Sequence, residues 1–176
     1  MSIRIGVIGA GQIIKIVVAV ILIGEDHVRR VTEKIPGAQV TAVASRRRAP
    51  AEKVAAICGA RVENSAEELL AASDVDAVIL ASPSELHEEQ TLCALEAGKQ
   101  VFCEKPLAVT AAGCRRIVEA EVQRNRRMVQ VGFMRRYDRG YRLLRQAVAG
   151  RALGAPLMVH CAHRNIAPHG HFTTDM

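Results

Sequence analysis

Apolar residues occur along this chain in short unbroken runs, and between the runs lie longer segments with helical spacing of apolar positions. Runs that are apolar throughout are typical of parallel strands buried on both faces. The pattern predicts strands at 2–9, 38–45, 76–82, 100–106, 128–133 and 156–164. It predicts helices at 49–58, 65–72, 84–98, 110–125 and 138–151. Because strands and helices alternate, we expect an α/β fold with a Rossmann-type, doubly wound parallel sheet.

Local signals support several of these boundaries. Gly59 and Gly98 follow two of the predicted helices, and Ser65 with Glu68 forms a capping-box pattern at the start of a third. The alternation of strands and helices changes near 125–135. We therefore expect a Rossmann domain over 1–127, and the start of a second α/β domain over 128–176.

The first predicted strand ends in a glycine-rich loop. Gly9 and Gly11 stand where a dinucleotide-binding loop requires them, so that backbone N–H groups can approach a pyrophosphate. The third glycine is due at position 14, which is Ile14, and the next glycine is Gly24. Segment 14–23 is therefore interpreted as an insertion, either a turn plus a strand or a lengthened helix, with a further helix resuming at Gly24. The candidate loop residues are Gly9, Gly11, Gln12 and Ile13.

The origin of this insertion stays open. Its start, IKIVVA at 14–19, echoes IRIGVI at 3–8, which fits a local duplication, and scrambled sequence is the alternative. A membrane segment is disfavoured, because the uncharged run at 16–24 has nine residues. Spanning a bilayer takes about 20.

The end of the second predicted strand bears on cofactor choice. An acidic residue at that place binds the adenosine ribose of NAD. This chain has Ser45, Arg46 and Arg47 there and no carboxylate. A hydroxyl and guanidinium groups suit a 2′-phosphate, so we expect NADP in preference to NAD. The alternative is a solvated arginine run at a turn.

Charge is unevenly distributed along the chain. Residues 1–100 carry 11 Lys and Arg against 13 Asp and Glu, whereas residues 101–176 carry 13 against 5. A basic half can indicate nucleic-acid binding, but aromatic residues make up only 3% of the chain, and no nucleic-acid motif is present. We expect no nucleic-acid partner.

Cysteine and histidine patterns give no metal or disulfide framework. The five cysteines form no C-x-x-C pair, which favours reduced thiols in a cytoplasmic protein. Four histidines near the end of the sequence have loose spacing, and ordinary surface histidines are favoured over metal ligands. They are His160, His163, His169 and His171.

A Glu-Lys-Pro sequence follows the strand predicted at 100–106. Glu104 and Lys105 would lie beyond the carboxyl end of that strand, at the sheet edge that faces the ligand crevice. A lysine there can exchange a proton with a substrate hydroxyl. On spacing alone, a surface ion pair before a turn proline is the favoured interpretation.

Four segments together carry a family resemblance: GVIGAG at 6–11, the long stretch at 81–108 that contains EKP, VQVGFMRRYDRGY at 129–141 and LMVHCAHRN at 157–165. The chain resembles the glucose–fructose oxidoreductase/inositol 2-dehydrogenase (Gfo/Idh/MocA) family, and most closely its inositol 2-dehydrogenases. The resemblance covers nearly the whole chain except 14–23. It implies an NAD(P)-dependent polyol or sugar dehydrogenase whose full-length members are homo-oligomers.

The resemblance also implies roles for individual residues. Lys105 matches the catalytic lysine at the reacting hydroxyl. Positions beside the cofactor are matched by Ser82, Pro83, His87 and Glu104, and positions near the substrate by Arg135, His163 and Asn165. The family's substrate-orienting Asp and His would lie shortly beyond this sequence. We therefore expect little or no turnover from the 176-residue chain, and a non-catalytic nucleotide-binding remnant is the alternative.

Overall fold

The computed structural model describes residues 2–10, 13–16, 19–151 and 154–162. Within these ranges the chain forms two compact units, 1–133 and 134–176. The strands are β1 (Ile3–Ile8), β2 (Ile13–Ile16), β3 (Ala19–Leu22), β4 (Ala38–Ala44), β5 (Arg61–Glu63), β6 (Ala77–Leu80), β7 (Gln100–Cys103) and β8 (Val129–Val131). The helices are α1 (Ile23–Lys34), α2 (Arg48–Ala55), α3 (Ala66–Ala71), α4 (His87–Glu96), α5 (Ala111–Gln123) and α6 (Arg139–Ala149).

The first unit is built on a six-stranded parallel sheet in the order β5-β4-β1-β6-β7-β8. From β1 the chain proceeds to β4 and β5 on one side and then crosses to β6 on the other. Such a reversal opens a crevice at the carboxyl ends of the strands. The predicted doubly wound α/β fold is confirmed.

Two layers of aliphatic side chains cover the two faces of this sheet. Along β1, Val7 packs with Val28 and Val31 of α1, whereas its neighbour Ile8 packs in the other layer with residues of α3 and α4. Successive residues of a strand point to opposite faces, so both faces are buried. This burial is why the strand sequences read as continuous apolar runs.

The segment predicted as an insertion contains a small antiparallel hairpin. Strands β2 and β3 pair with each other from Ile13 opposite Leu22 to Ile16 opposite Ala19, in a sheet separate from the main one. Helix α1 begins directly afterwards at Ile23. The predicted resumption of a helix at Gly24 is therefore confirmed, and two short strands replace the single added element that the sequence suggested.

Helix α3 begins at the predicted N-cap. The N–H of Glu68 donates to the Ser65 hydroxyl oxygen at 3.1 Å. The other half of the predicted capping box differs, since the Glu68 carboxylate accepts from the backbone N–H of Asn64 at 3.1 Å and not from that of Ser65. The short strand β5, which precedes this cap, had no clear apolar run in the sequence.

The prediction of a strand at 156–164 is wrong over the described residues 156–162, which form no strand. Leu157, Met158 and Val159 are 99%, 89% and 82% exposed. A strand requires a neighbouring strand to pair its backbone groups. No strand in the described part of the chain pairs with this segment.

The second unit contains α6, which the Asp138 side chain caps by accepting from the Tyr141 N–H at 3.0 Å. Strand β8 pairs with β7 and therefore belongs to the first unit. That unit ends at Phe133. The domain division at 127 stays a prediction. Among the described helices, none is both long and apolar enough to cross a membrane.

Candidate functional site

A cavity of about 500 Å³ opens at the carboxyl ends of the central strands. It lies at the point where the sheet order reverses, between the segments that follow β1, β4 and β6. Small-molecule sites typically have volumes of this size and occupy this position in open α/β sheets. Six residues predicted for cofactor binding line it: Gly9, Ser45, Arg46, Arg47, Ser82 and Pro83.

Gly9 shapes the floor of this cavity. Its φ is +106°, and a Cβ at this position would overlap the backbone of Ala81 and Ser82. Gly24, the second residue of α1, packs so closely that an added Cβ would overlap the Gly9 carbonyl oxygen. Both positions therefore require glycine, and Gly24 supplies the close helix–strand contact that the third glycine of a dinucleotide loop makes.

The cavity wall beyond β4 is cationic. Arg46 and Arg47 are exposed, and Ser45 is half-buried. The neighbouring Arg48 instead forms hydrogen bonds within the protein, since its side chain donates to Glu52 at 2.7 Å and to Asn64 at 3.1 Å. Arg46 and Arg47 thus present guanidinium groups at the cavity, as their spacing after the strand indicated.

The start of α3 also lines the cavity, through Asn64, Ser65 and Glu67. Sequence reasoning missed these three residues, because it treated Ser65 only as a helix cap. The strand β5 that positions them is three residues long and gave no apolar signal. The segment after β6 also contributes lining residues that were not predicted, namely Leu86, Glu89 and Gln90.

The segment after β6 is fixed by buried polar contacts. The Ser82 hydroxyl donates to Gln90 Oε1 at 2.6 Å. His87 is 1% exposed, and its ring nitrogens lie 2.6 Å from the carbonyl oxygen of Pro106 and 3.0 Å from that of Ser82. His87 therefore connects the segments that follow β6 and β7, and it does not line the cavity.

Glu104 and Lys105 lie directly after β7, at the sheet edge where they were predicted. Burial raises the pKa of the Glu104 carboxyl, but hydrogen bonds from His27 and from the backbone of Lys105, with the positive charges nearby, outweigh burial. The pKa of Glu104 is consequently below its ordinary value. The carboxylate is charged at neutral pH, whereas Lys105 is exposed to solvent.

The remaining predicted site residues are not among the residues that line the cavity in the described part of the chain. Gly11 and Gln12 lie outside the described residues, and so do His163 and Asn165. Ile13 begins β2. In the second unit, the Arg135 guanidinium lies 4.7 Å from the centre of the Tyr141 ring and donates to the Tyr141 hydroxyl at 2.9 Å. Their predicted site roles stay predictions.

Three features make this site suitable for a dinucleotide. Gly9 allows the turn after β1 to pack closely against Ala81 and Ser82, and the wall after β4 carries the exposed cations Arg46 and Arg47. Helix α1 begins in close contact with that turn, and a helix N-terminus favours an anionic ligand. Among the described residues, no group of three or more His, Cys, Asp or Glu side chains could hold a metal ion. The donor set favours an anionic organic ligand.

Comparison with known proteins agrees with this geometry. Residues 3–133 match the model of GFO_IDH_MocA, an oxidoreductase family with an NAD-binding Rossmann fold. The whole chain aligns at 52% identity with 49% of the inositol 2-dehydrogenase/D-chiro-inositol 3-dehydrogenase of Shouchella clausii. It aligns at 48% identity with 50% of an inositol 2-dehydrogenase of Klebsiella pneumoniae. The chain thus spans about half the length of these curated relatives.

Solved structures show the same architecture. The myo-inositol dehydrogenase of Lactobacillus casei, in complex with NAD(H) and myo-inositol, superimposes with a TM-score of 0.80 at 38% identity, over 89% of this chain and 44% of that one. The scyllo-inositol dehydrogenase of the same organism, with NAD(H) and scyllo-inositol bound, gives a TM-score of 0.78 at 30% identity, over 88% and 43% of the two chains.

Proposed function

Since the chain belongs to the GFO/IDH/MocA oxidoreductase family, we propose that it binds a nicotinamide dinucleotide and forms the cofactor half of an inositol dehydrogenase-like site. The single observation that carries this proposal is the contact between Gly9 and Gly24, which preserves a glycine turn at the end of β1 despite the added hairpin. The cavity lies directly beside this turn.

The cationic wall supports NADP in preference to NAD. In this fold the adenosine ribose lies beside the end of the strand that here is β4. Ser45, Arg46 and Arg47 occupy that place, and arginine forms charge-assisted hydrogen bonds to phosphate. An NAD-specific site would carry a carboxylate there, which would repel the 2′-phosphate. The predicted loop residues Gly11, Gln12 and Ile13 would hold the pyrophosphate.

The substrate proposed for the full site is a polyol such as an inositol, since two structurally similar enzymes have inositols bound. When bound, the nicotinamide supplies the acceptor for the substrate's hydride. Lys105 is proposed to hold the reacting hydroxyl and exchange its proton. Arg135, His163 and Asn165 are proposed to bind other hydroxyl groups. The compartment is proposed to be the cytoplasm, and the assembly a homo-oligomer.

We propose further that the 176-residue chain by itself shows no turnover, because it spans about half the length of its relatives. A second candidate function is a remnant that binds no dinucleotide. The hairpin β2–β3 favours this alternative, since it interrupts the glycine loop between Gly9 and Gly24. The two candidates differ in whether the cavity accepts a nucleotide.

Isothermal titration calorimetry with two adenosine nucleotides tests the proposal. Adenosine 2′,5′-bisphosphate carries the 2′-phosphate, whereas 5′-AMP is the matched ligand without it. We expect both to bind, the bisphosphate more tightly by about tenfold, which corresponds to one net charge-assisted hydrogen bond. Adding myo-inositol with NADP or NAD should produce no reduced nicotinamide above background. Absence of binding by either nucleotide favours the remnant, and measurable turnover would contradict the proposal that this chain is inactive by itself.

A further inference from the structure

Helix α1 contributes a histidine to the Glu-Lys-Pro turn. His27 Nε2 lies 2.9 Å from Glu104 Oε1, although the two residues are 77 positions apart in sequence. Both side chains are mostly buried, with 17% and 19% exposed. Because the lowered pKa of Glu104 keeps its carboxylate ionised, that carboxylate can only accept, and His27 Nε2–H is the donor.

The carboxylate of Glu104 has a second partner in the same turn. The backbone N–H of Lys105, the next residue, also helps to lower the pKa of the Glu104 carboxyl. The contact between His27 and Glu104 is therefore made at the residue that immediately precedes Lys105. His27 lies one helical turn after Gly24, which packs against Gly9.

Neighbouring residues hold the histidine in this orientation. The His27 ring packs edge-on against Phe102, with the ring centres 5.5 Å apart. Gly132 packs closely against the same ring, since an added Cβ there would lie 3.0 Å from the Phe102 ring. The contact with Phe102 of β7 thus holds the His27 ring beside the carboxylate.

We propose that His27 is a positioning residue for Lys105: by donating to Glu104, it orients the Glu104 carboxylate and, through it, the turn that carries the lysine. The proposal rests on the proposed role of Lys105. Helix α1, which follows the glycine loop, would then have two roles: it supports that loop, and through His27 it positions Lys105. The contact between His27 and Glu104 would hold Lys105 in a fixed position relative to the bound cofactor.

The test measures the chemical reactivity of Lys105 in the full 176-residue chain without any nucleotide. Limited acetylation by N-hydroxysuccinimidyl acetate, resolved by site with mass spectrometry, gives the rate at Lys105 relative to Lys53. Lys53 is an exposed lysine of α2 and serves as the internal reference. In His27→Ala, we expect the ratio to change by about threefold or more, since a charge-assisted hydrogen bond near the lysine is lost.

Matched variants separate positioning from packing. His27→Gln places an amide donor near the position of Nε2, whereas His27→Asn has similar chemistry but is too short to reach Glu104. We expect the wild-type ratio in His27→Gln and the altered ratio in His27→Asn. A loss of packing against Phe102 alone would instead affect both variants alike. His160→Ala, at an exposed histidine, is the control and should leave the ratio unchanged.

An unchanged ratio in folded His27→Ala, or equal ratios in His27→Gln and His27→Asn, overturns the proposal. Thermal unfolding of each variant establishes that it is folded, and the Gln/Asn pair decides the matter if His27→Ala does not fold. Because no nucleotide is present, failure of dinucleotide binding in a separate titration would overturn the proposed function without affecting this result.

Discussion

Gly24, the second residue of helix α1, packs directly against the carbonyl oxygen of Gly9, although the hairpin β2–β3 lies between them in sequence. The chain leaves the end of β1, forms the hairpin as a separate two-stranded sheet, and returns to the same place. The added residues therefore do not displace the helix from the strand. This contact is the physical basis for assigning a cofactor-binding role to an interrupted loop.

Replacing Gly9 should be strongly destabilising. Gly9→Ala places a Cβ at φ +106° and into the backbone of Ala81 and Ser82. We expect a loss of roughly 3 kcal/mol or more in the free energy of unfolding, measured by urea denaturation. Gly37→Ala is the matched control, since its φ is +81° but nothing lies within 4 Å of the added Cβ. It should cost only about 1 kcal/mol, and equal losses in the two variants would contradict this account.

Gly24→Ala tests the contact between helix and loop separately from backbone conformation. The added Cβ would overlap the Gly9 carbonyl oxygen, so helix α1 must shift. We expect about 1–3 kcal/mol of destabilisation and weaker dinucleotide binding. The control is Gly140→Ala in α6, where the nearest atom to the added Cβ is an Asp138 carboxylate oxygen at 3.2 Å. Since alanine favours helices, that variant should be neutral or more stable by up to about 1 kcal/mol.

Cofactor preference should depend on the residues that follow β4. The double variant Ser45→Asp with Arg46→Ala introduces the carboxylate of an NAD site and removes one cation. We expect the ratio of NADPH to NADH affinity to fall by about 10- to 100-fold, as one or two charge-assisted hydrogen bonds are lost. Fluorescence titration with both nucleotides measures this ratio. Lys53→Ala, outside the cavity lining, should not change it.

An ion pair at the opposite end of the sheet should make stability depend on acid pH. The Arg4 side chain donates to Asp76 at 2.6 Å and 3.0 Å, and these bonds, with one from the Arg4 backbone, lower the pKa of Asp76 from 3.8 to about 2. A lowered pKa in the folded state contributes stability above pH 4, and that contribution is lost as the pH falls toward 2.

Asp76→Asn removes this titration. Wild type should therefore be more stable than Asp76→Asn at pH 5 and 7, and the difference should disappear between about pH 4 and pH 2. Thermal unfolding of both proteins across this range measures the difference. A stability difference that stays constant down to pH 2 would show that the carboxylate does not titrate as the contacts with Arg4 indicate.

Most of the sheet could be predicted from sequence because its strands are buried on both faces. The strands that contain Val7, Val43 and Ile79 end in apolar runs, and each strand lies in the interior of the sheet. Strand β5 was missed because it is an edge strand of three residues. The strand predicted at 156–164 is absent over the described residues 156–162, although the sequence there is apolar. An apolar run forms a strand only where another strand pairs with it.

The site was predictable only where position along a strand determines function. Ser45, Arg46, Ser82 and Pro83 follow the ends of central strands, so the topology alone brings them together. His27 could not be found in this way. It lies within a helix whose start was displaced by the hairpin, and its partner Glu104 is distant in sequence. Only the packing of α1 against the sheet brings the two together.

We propose that the interrupted loop still forms a working dinucleotide site. The most direct test is a fluorescence titration of the 176-residue protein with NADPH and, in parallel, NADH, in a sample shown to be folded by its circular dichroism. We expect saturable binding of both nucleotides, with the tighter affinity for NADPH. Absence of saturable binding by either nucleotide in the folded protein would contradict the claim.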